Sequence, residues 1–277
     1  MEAYFETKDV TIYYQFTLDS TKDKPYLLCI HGFLSSSYCY REFHPYLQEQ
    51  FHVLSIDLPP FGKSSKNDLI SHSYNHMVDW IHQLLDHLSI SSCYVVGHSM
   101  GGQVALRLAN RFPERIKYLF LLAPSAFMEK SAFLIRILSL STKAPSALQL
   151  FLKQKGVREI LSLCMYDQKR ISESIAKHYR EPYLYDAIYP CIINLIRERE
   201  GDLSENELRQ IKTPSTVIWG ENDQILPLEL GYELIRYLPN SSLITINKTG
   251  HLLPEEQPVF ITDIIKETLE ETINKLS

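Results

Sequence analysis

A nucleophile, a base and an orienting acid can be assembled from three distant points of this chain. Gly97-His98-Ser99-Met100-Gly101 follows the apolar run Tyr94–Val96 and precedes a helical pattern through Val104, Leu106 and Leu108. G-x-S-x-G between a strand and a helix marks a sharp turn that lifts the serine hydroxyl clear of a sheet. Such a turn strains the serine backbone. Side chains at 97 and 101 would collide with the neighbouring chain, which is why both are glycine. The nucleophile then sits at a helix N-terminus, where free N–H groups favour negative charge. The N–H of Met100, next in the chain, is the first candidate donor to an oxyanion. The bare pattern arises by chance in about one chain in ten of this length, since Gly and Ser each make up roughly 7% of residues. The strand before it and the helix after it make Ser99 the predicted nucleophile.

A serine hydroxyl needs a neighbouring base to take its proton, and histidine is the natural one. The chain has 10 histidines. His72, His76, His82 and His87 fall on or beside an amphipathic helical pattern and are expected on its wet face. His72 and His76 are four apart, but no carboxylate or third ligand is spaced with them, so no metal is expected. His44, His52 and His178 have no motif around them. His251 follows the last strand-like run, in the loop opened by Asn247-Lys248-Thr249-Gly250. Ligand groups in open α/β sheets gather at the carboxyl ends of strands, which makes His251 the predicted base. The acid should orient the imidazole and stabilise its charged form. Asp223 lies beyond the end of the run Thr216–Trp219, with Glu221 and the more distant Glu129 as competitors.

These residues need a rigid frame. Val10, Ile12, Tyr14 and Phe16 alternate at period two, as in an antiparallel strand with one wet face. Short continuous apolar runs follow at Tyr26–Ile30, Val53–Ile56, Tyr94–Val96, Tyr118–Leu122, Thr216–Trp219 and Leu243–Ile246. Strands covered on both faces look like this and belong to parallel sheets. Between them, Tyr74, Met77, Val78, Ile81, Leu84, Leu85 and Leu88 keep helical spacing behind the N-cap candidate Ser73. Pro227 and Pro258 suit the first turn of two further helices. Strand–helix alternation of this kind predicts a doubly wound α/β sheet.

The alternation breaks between Pro124 and Lys212. That interval holds apolar helical segments at Ala132–Leu140, Ala147–Leu152, Val157–Met165 and Ile188–Ile196, then the capping box Ser204-x-x-Glu207. It is far longer than the 2–6 residue loops and single helix of an ordinary connection. The expected organisation is one core unit, residues 1–124 and 206–277, with a helical cap at 125–205.

Composition narrows the function classes. The formal net charge is −5, and no stretch is strongly basic. That argues against nucleic acid or an anionic membrane as a main partner. Cys29, Cys39, Cys93, Cys164 and Cys191 are odd in number and lack C-x-x-C spacing. A disulfide framework and a zinc site are therefore not expected, and a reducing compartment is. MEAYFETKDV carries acids and no apolar segment of signal-peptide type. Tyr118–Phe127 is too short to span a bilayer. The expectation is a soluble cytoplasmic protein with no stable membrane insertion, with its oligomeric state left open between monomer and homodimer.

HGFLSSS at 31–37, DLPPFGKS at 57–64, GHSMGG at 97–102, GENDQILP at 220–227 and TGHLLPE at 249–255 resemble the α/β-hydrolase family in order and spacing. Within it the chain is similar to the YugF-type hydrolases of Bacillus. The resemblance covers essentially all of the chain outside the cap. It implies a mostly parallel, eight-stranded doubly wound sheet with the cap inserted after the sixth strand. It also implies the order serine, acid, base, and its G-x-x-D-x-x-x-P motif falls on Gly220, Asp223 and Pro227, which favours Asp223 as the acid. It gives the second oxyanion donor as the N–H of Phe33. His31 and His98 fall in motifs where histidine is usually structural, although His98 is also a candidate substrate contact with Leu34, Leu138, Tyr183 and Leu252. Pro60 stands where the family often has glycine, a change at the rim that leaves the three reacting residues untouched.

The resemblance implies cleavage of an ester or thioester by two-step acyl transfer, on a small to medium, partly apolar substrate and with no cofactor. Tyr166, Tyr179, Tyr183, Tyr185 and Tyr189, with Leu134, Ile137 and Leu138, could roof an apolar to aromatic cavity, and Arg180 could meet an acidic substrate. The same three residues could also serve carbon–carbon hydrolysis, cofactor-free haloperoxidation or amide cleavage. Leu-Leu-Pro after His251 lacks the tryptophans typical of the carbon–carbon hydrolases. A ligand sensor acting through a protein partner is the rival of another class. A membrane-surface role for the apolar cap is a third reading, disfavoured by the few clustered basic residues.

Overall fold

The computed structural model describes residues 1–18 and 23–276, with side chains to 272. The chain opens with β1 (Glu2–Glu6) and β2 (Thr11–Thr17), an antiparallel pair, followed by β3 (Tyr26–Ile30) and the short α1 (Phe43–Leu47). Then come β4 (His52–Ile56), α2 (Tyr74–His87), β5 (Cys93–His98), α3 (Met100–Arg111) and β6 (Ile116–Leu122). Six helices follow without a strand: α4 (Phe133–Leu138), α5 (Ala144–Lys155), α6 (Val157–Cys164), α7 (Glu173–Arg180), α8 (Ile188–Glu198) and α9 (Glu205–Gln210). The chain then completes the sheet with β7 (Ser215–Gly220), α10 (Glu229–Tyr237) and β8 (Ser241–Ile246), and ends in α11 (Leu253–Glu256) and α12 (Pro258–Leu276).

The eight strands lie in the order β1-β2-β4-β3-β5-β6-β7-β8. β2 pairs antiparallel with β4, and every pair from β4 to β8 is parallel. The six apolar runs are the six parallel strands, and β4, β5 and β7 are buried along their whole length. From β3 the chain crosses to β4 on one side and then returns past β3 to β5 on the other. Right-handed crossovers put the helices of opposite steps on opposite faces. Accordingly α2 packs with α3 and α1 with α12, one layer on each side of the sheet. The reversal leaves a crevice at the carboxyl ends of β3 and β5, where ligands of such sheets bind.

Local signals explain most boundaries. Ser73 caps α2 by accepting from the His76 N–H, and the Ser204–Glu207 capping box forms at α9. Pro258 opens α12, whereas the helix after Pro227 begins at Glu229. The wet face expected of the first alternating strand is partly covered: Tyr13 is buried, its ring under the Lys63 ammonium at 4.5 Å. His72 is not on a wet face either. It precedes the α2 N-cap and is buried, edge-on to Trp80 at a ring separation of 6.0 Å. All five cysteines are free thiols. Among the described residues no helix is long and apolar enough to cross a membrane.

Candidate active site

The turn after β5 carries the strain that its sequence predicts. Ser99 has φ 51° and ψ −118°, a left-handed backbone in a residue that is not glycine. Its N–H donates to the Leu122 carbonyl of β6, and its carbonyl accepts from the N–H of Ser125 and of Gly102. A Cβ on Gly97 would lie 2.6 Å from the Gly101 carbonyl oxygen, and one on Gly101 would lie 2.2 Å from that of Ile30. The first contact would force β5 and α3 apart, the second α3 and β3.

The predicted base and acid come together with this serine. His251 Nε2 is 3.0 Å from Ser99 Oγ, and His251 Nδ1 is 2.7 Å from Asp223 Oδ2. The other Asp223 oxygen accepts from the N–H groups of Ile225 and Leu226, at 2.8 and 2.9 Å. The loops after β7 and β8 are tied together where the Asn222 N–H donates to the Thr249 carbonyl. Glu221, the nearer rival acid, turns away to accept from Thr245. These bonds fix Nδ1–H toward Asp223 and leave Nε2 free to accept from Ser99, the arrangement needed to draw off a hydroxyl proton.

The loop after β3 reaches the same point. A Cβ on Gly32 would come within 3.1 Å of Ser99 Cβ, so the backbone next to Phe33 lies against Ser99. The Phe33 ring is edge-on to Phe61 at 5.5 Å. Met100 opens α3 with its side chain buried. Among the described residues neither the Phe33 N–H nor the Met100 N–H has a hydrogen-bond acceptor. Two such amides beside a serine hydroxyl can receive a developing negative oxygen.

A cavity of about 180 Å³ opens over Ser99 and His251. Leu34, His98, Tyr183 and Leu252 line it as expected, with Ser35, Tyr179, Ile225 and residues of α6. Leu138 does not: α4 has no buried residue, and Leu138 is 62% exposed. Helical spacing predicted an apolar face there but not its direction, and the roof is supplied by α6 and the turn Glu181–Leu184 instead. Leu134, Ile137, Tyr166 and Tyr185 also lie outside this lining, whereas Tyr189 and Arg180 belong to an adjoining cavity of about 150 Å³. A larger cleft, about 570 Å³, lies against Tyr38, Arg41, Asp57, Lys63 and Lys66, and a void of about 10 Å³ bordered by Leu34, Ser35 and Tyr179 shares Tyr38, His178 and Pro182 with it. The cleft holds none of the three reacting residues.

Burial sets the protonation of the surrounding groups. His98 is pushed down to about 3, chiefly by desolvation and next by His251. It is therefore neutral, and its Nε2–H donates to the His251 carbonyl at 2.8 Å. That bond holds the His251 backbone from behind. Cys164 is pushed up to about 12 by burial and then by the Asp223 charge, so it remains a thiol.

The composition of the chain concealed one group of supports. The Cys164 carbonyl accepts from the N–H groups of both His251 and Leu252. Glu256 accepts from the N–H groups of Gly250, Tyr166 and Asp167, and burial raises its carboxyl pKa. Its neighbour Glu255 is fully buried, held by both Arg41 nitrogens at 2.7 and 2.8 Å and by the Tyr179 hydroxyl. Two adjacent acids normally read as surface. The proline before them and the helix behind were the available signal.

Comparison with known proteins agrees with this frame. A family profile described as the alpha/beta hydrolase fold matches residues 25–258. The hydrolase YugF of Bacillus subtilis is 33% identical over 266 residues, 96% of this chain and 97% of its own. Monoacylglycerol lipase ABHD6 of Bos taurus is 25% identical over 243 residues, 85% of this chain and 72% of its own. A 2-hydroxy-6-oxononadienedioate/2-hydroxy-6-oxononatrienedioate hydrolase of Burkholderia vietnamiensis is 24% identical over 239 residues, 81% of this chain and 80% of its own. With the sheet order, the strained serine turn and a profile match over most of its length in agreement, the chain belongs to the α/β-hydrolase fold family and is a hydrolase.

Proposed function

We propose that the protein is a serine hydrolase that cleaves a carboxylic ester, or the chemically similar thioester, through an acyl-enzyme. The observation that carries this reading is the pair of hydrogen bonds, 3.0 and 2.7 Å, running from Ser99 through His251 to Asp223. Ser99 Oγ attacks the substrate carbonyl carbon while His251 Nε2 takes the hydroxyl proton. The carbonyl electron pair moves to oxygen, and the N–H groups of Phe33 and Met100 donate to the resulting oxyanion. Each such donor is worth roughly 3–4 kcal/mol at the barrier. Collapse breaks the bond to the leaving alcohol or thiol, which takes its proton from His251. Water then gives a proton to His251 and attacks the acyl carbon. The second oxyanion collapses, Ser99 recovers its proton and the carboxylic acid leaves.

The cavity favours a neutral, partly apolar substrate. Its lining is Phe33, Leu34, Val157, Ile160, Leu161 and their neighbours, with no lysine or arginine. The Burkholderia relative is named for a dioate, and a dianion in this cavity would be desolvated without a counter-charge, a large cost. The bovine relative is named for a monoacylglycerol, a neutral ester that this lining suits. A fluorophosphonate probe and a panel of p-nitrophenyl esters of rising chain length test the reading. The probe should label the protein and not Ser99→Ala, and turnover should favour acyl chains longer than acetyl. Labelling that survives in Ser99→Ala would overturn the assignment.

A further inference from the structure

The helices between β6 and β7 carry an apolar surface that the rest of the molecule does not cover. All six residues of α4 are exposed, with Phe133 at 78% and Leu134 at 66%. Leu140, at 68%, and Leu150 and Phe151 on α5 are exposed as well. Scattered single apolar residues are ordinary on a protein surface, whereas a run of this kind marks a place of contact.

The charge of the same segment identifies the partner. From Lys130 to Arg158 the chain carries six cations, Lys130, Arg136, Lys143, Lys153, Lys155 and Arg158, and no aspartate or glutamate. The remaining 22 of its 28 basic residues are set against all 33 acids. The whole-chain value of −5, which by itself argues against an anionic membrane, therefore averages over this acid-free stretch, bounded by Glu129 and Glu159, and an acidic remainder. Lys155 and Arg158 are paired with Glu159 and Glu173. Lys130, Arg136, Lys143 and Lys153 have no ion pair among the described residues. Exposed apolar side chains with unpaired cations on and beside the same helices match an anionic lipid surface, which takes the former into its acyl boundary and attracts the latter.

This segment borders a cavity next to the one over Ser99. The 150 Å³ cavity begins at Leu152 and Lys153 of α5, next to Phe151, and shares Val157, Ile160 and Tyr183 with the cavity over Ser99. We infer that the α4–α5 segment docks the enzyme on an anionic phospholipid surface and draws an acyl ester from it to Ser99 past Val157, Ile160 and Tyr183, which both cavities share. The docking stands on the surface alone, and the delivery of an ester rests on the function proposed above.

Flotation separates the two. Ser99→Ala protein, which cannot consume lipid, is mixed with vesicles of phosphatidylcholine alone or of phosphatidylcholine with one third phosphatidylglycerol. It should float with the anionic vesicles and lose that binding at least ~10-fold in high salt, in Phe133→Ser with Leu134→Ser, and in Arg136→Glu with Lys143→Glu. The two double variants in the active background should still hydrolyse a soluble p-nitrophenyl ester at the unaltered rate, which shows that they fold. No flotation, or equal flotation of the Phe133 and Leu134 variant, would overturn the docking. Self-association in sedimentation that this variant abolishes, without flotation, would assign the face to a second copy of the chain. Ester turnover without flotation would remove the docking and leave the proposed function standing. Flotation without turnover of any ester would do the reverse.

Discussion

Two regions of the molecule meet over Ser99, and they are built on opposite terms. At the carboxyl end of the sheet each group proposed to react sits at or just beyond the end of a parallel strand, and the bonds between loops leave little freedom. Between β6 and β7, α4 and α5 contain no buried residue. Close packing punishes change in the first region, whereas the second can vary its surface at small cost to the fold. Under the proposed function, the contrast gives the chemistry to the sheet and the choice of substrate to the helices between β6 and β7.

Four measurements break or sharpen that division. The largest effect should be at the base: His251→Ala should lower kcat/KM on any ester at least ~10⁴-fold, read by steady-state hydrolysis. Near wild-type turnover would place the base elsewhere. The next is acid lability of the core. Burial lowers His98 to about 3 and His72 to about 4, from an ordinary 6.5. The unfolded chain gains these protons near pH 6.5 and the folded one does not, so stability is full above that pH and falls as the pH drops toward 4. Each histidine should cost about 2 kcal/mol at pH 5, seen as a lower urea midpoint. His72→Leu should flatten the fall, and an unchanged slope would remove His72 from the account.

The smaller effects belong to the inserted helices. Tyr183→Ala, in the wall common to both cavities, should raise KM ~10-fold for longer acyl esters and within ~2-fold for acetate. A uniform loss of kcat would instead tie Tyr183 to the chemistry. Leu138→Ala should change soluble-ester turnover less than ~2-fold and stability by less than ~0.5 kcal/mol. A larger effect would return Leu138 to the substrate site.

Legibility in the sequence follows the same line. Tyr26–Ile30 matches β3 residue for residue, because a strand buried on both faces has no room for polar residues. Glycines at 97 and 101 were readable because a sharp turn between packed elements excludes any side chain. The inserted helices were harder. α7 lacks a long apolar run, and its buried Ile175, Ala176 and Tyr179 stand among Glu173, Lys177, His178 and Arg180. Leu138 was misplaced because spacing reveals an apolar stripe without saying whether protein covers it. β1 alternates exposed and half-buried positions with acids at both ends, so nothing in it spoke for a strand. Buried acids such as Glu255 and Glu256 depend on partners from α7, Arg41 and the Cys164–Asp167 segment, which only the fold brings near.

The Cys164 carbonyl takes two amide protons from the loop that holds His251, and the Glu256 carboxylate returns the grip on Tyr166 and Asp167. The inserted helices are therefore not an interchangeable part. A chimera that grafts this stretch from another member of the family must carry residues 164–167 and 249–256 together, or it will import a new roof and misalign the imidazole beneath it.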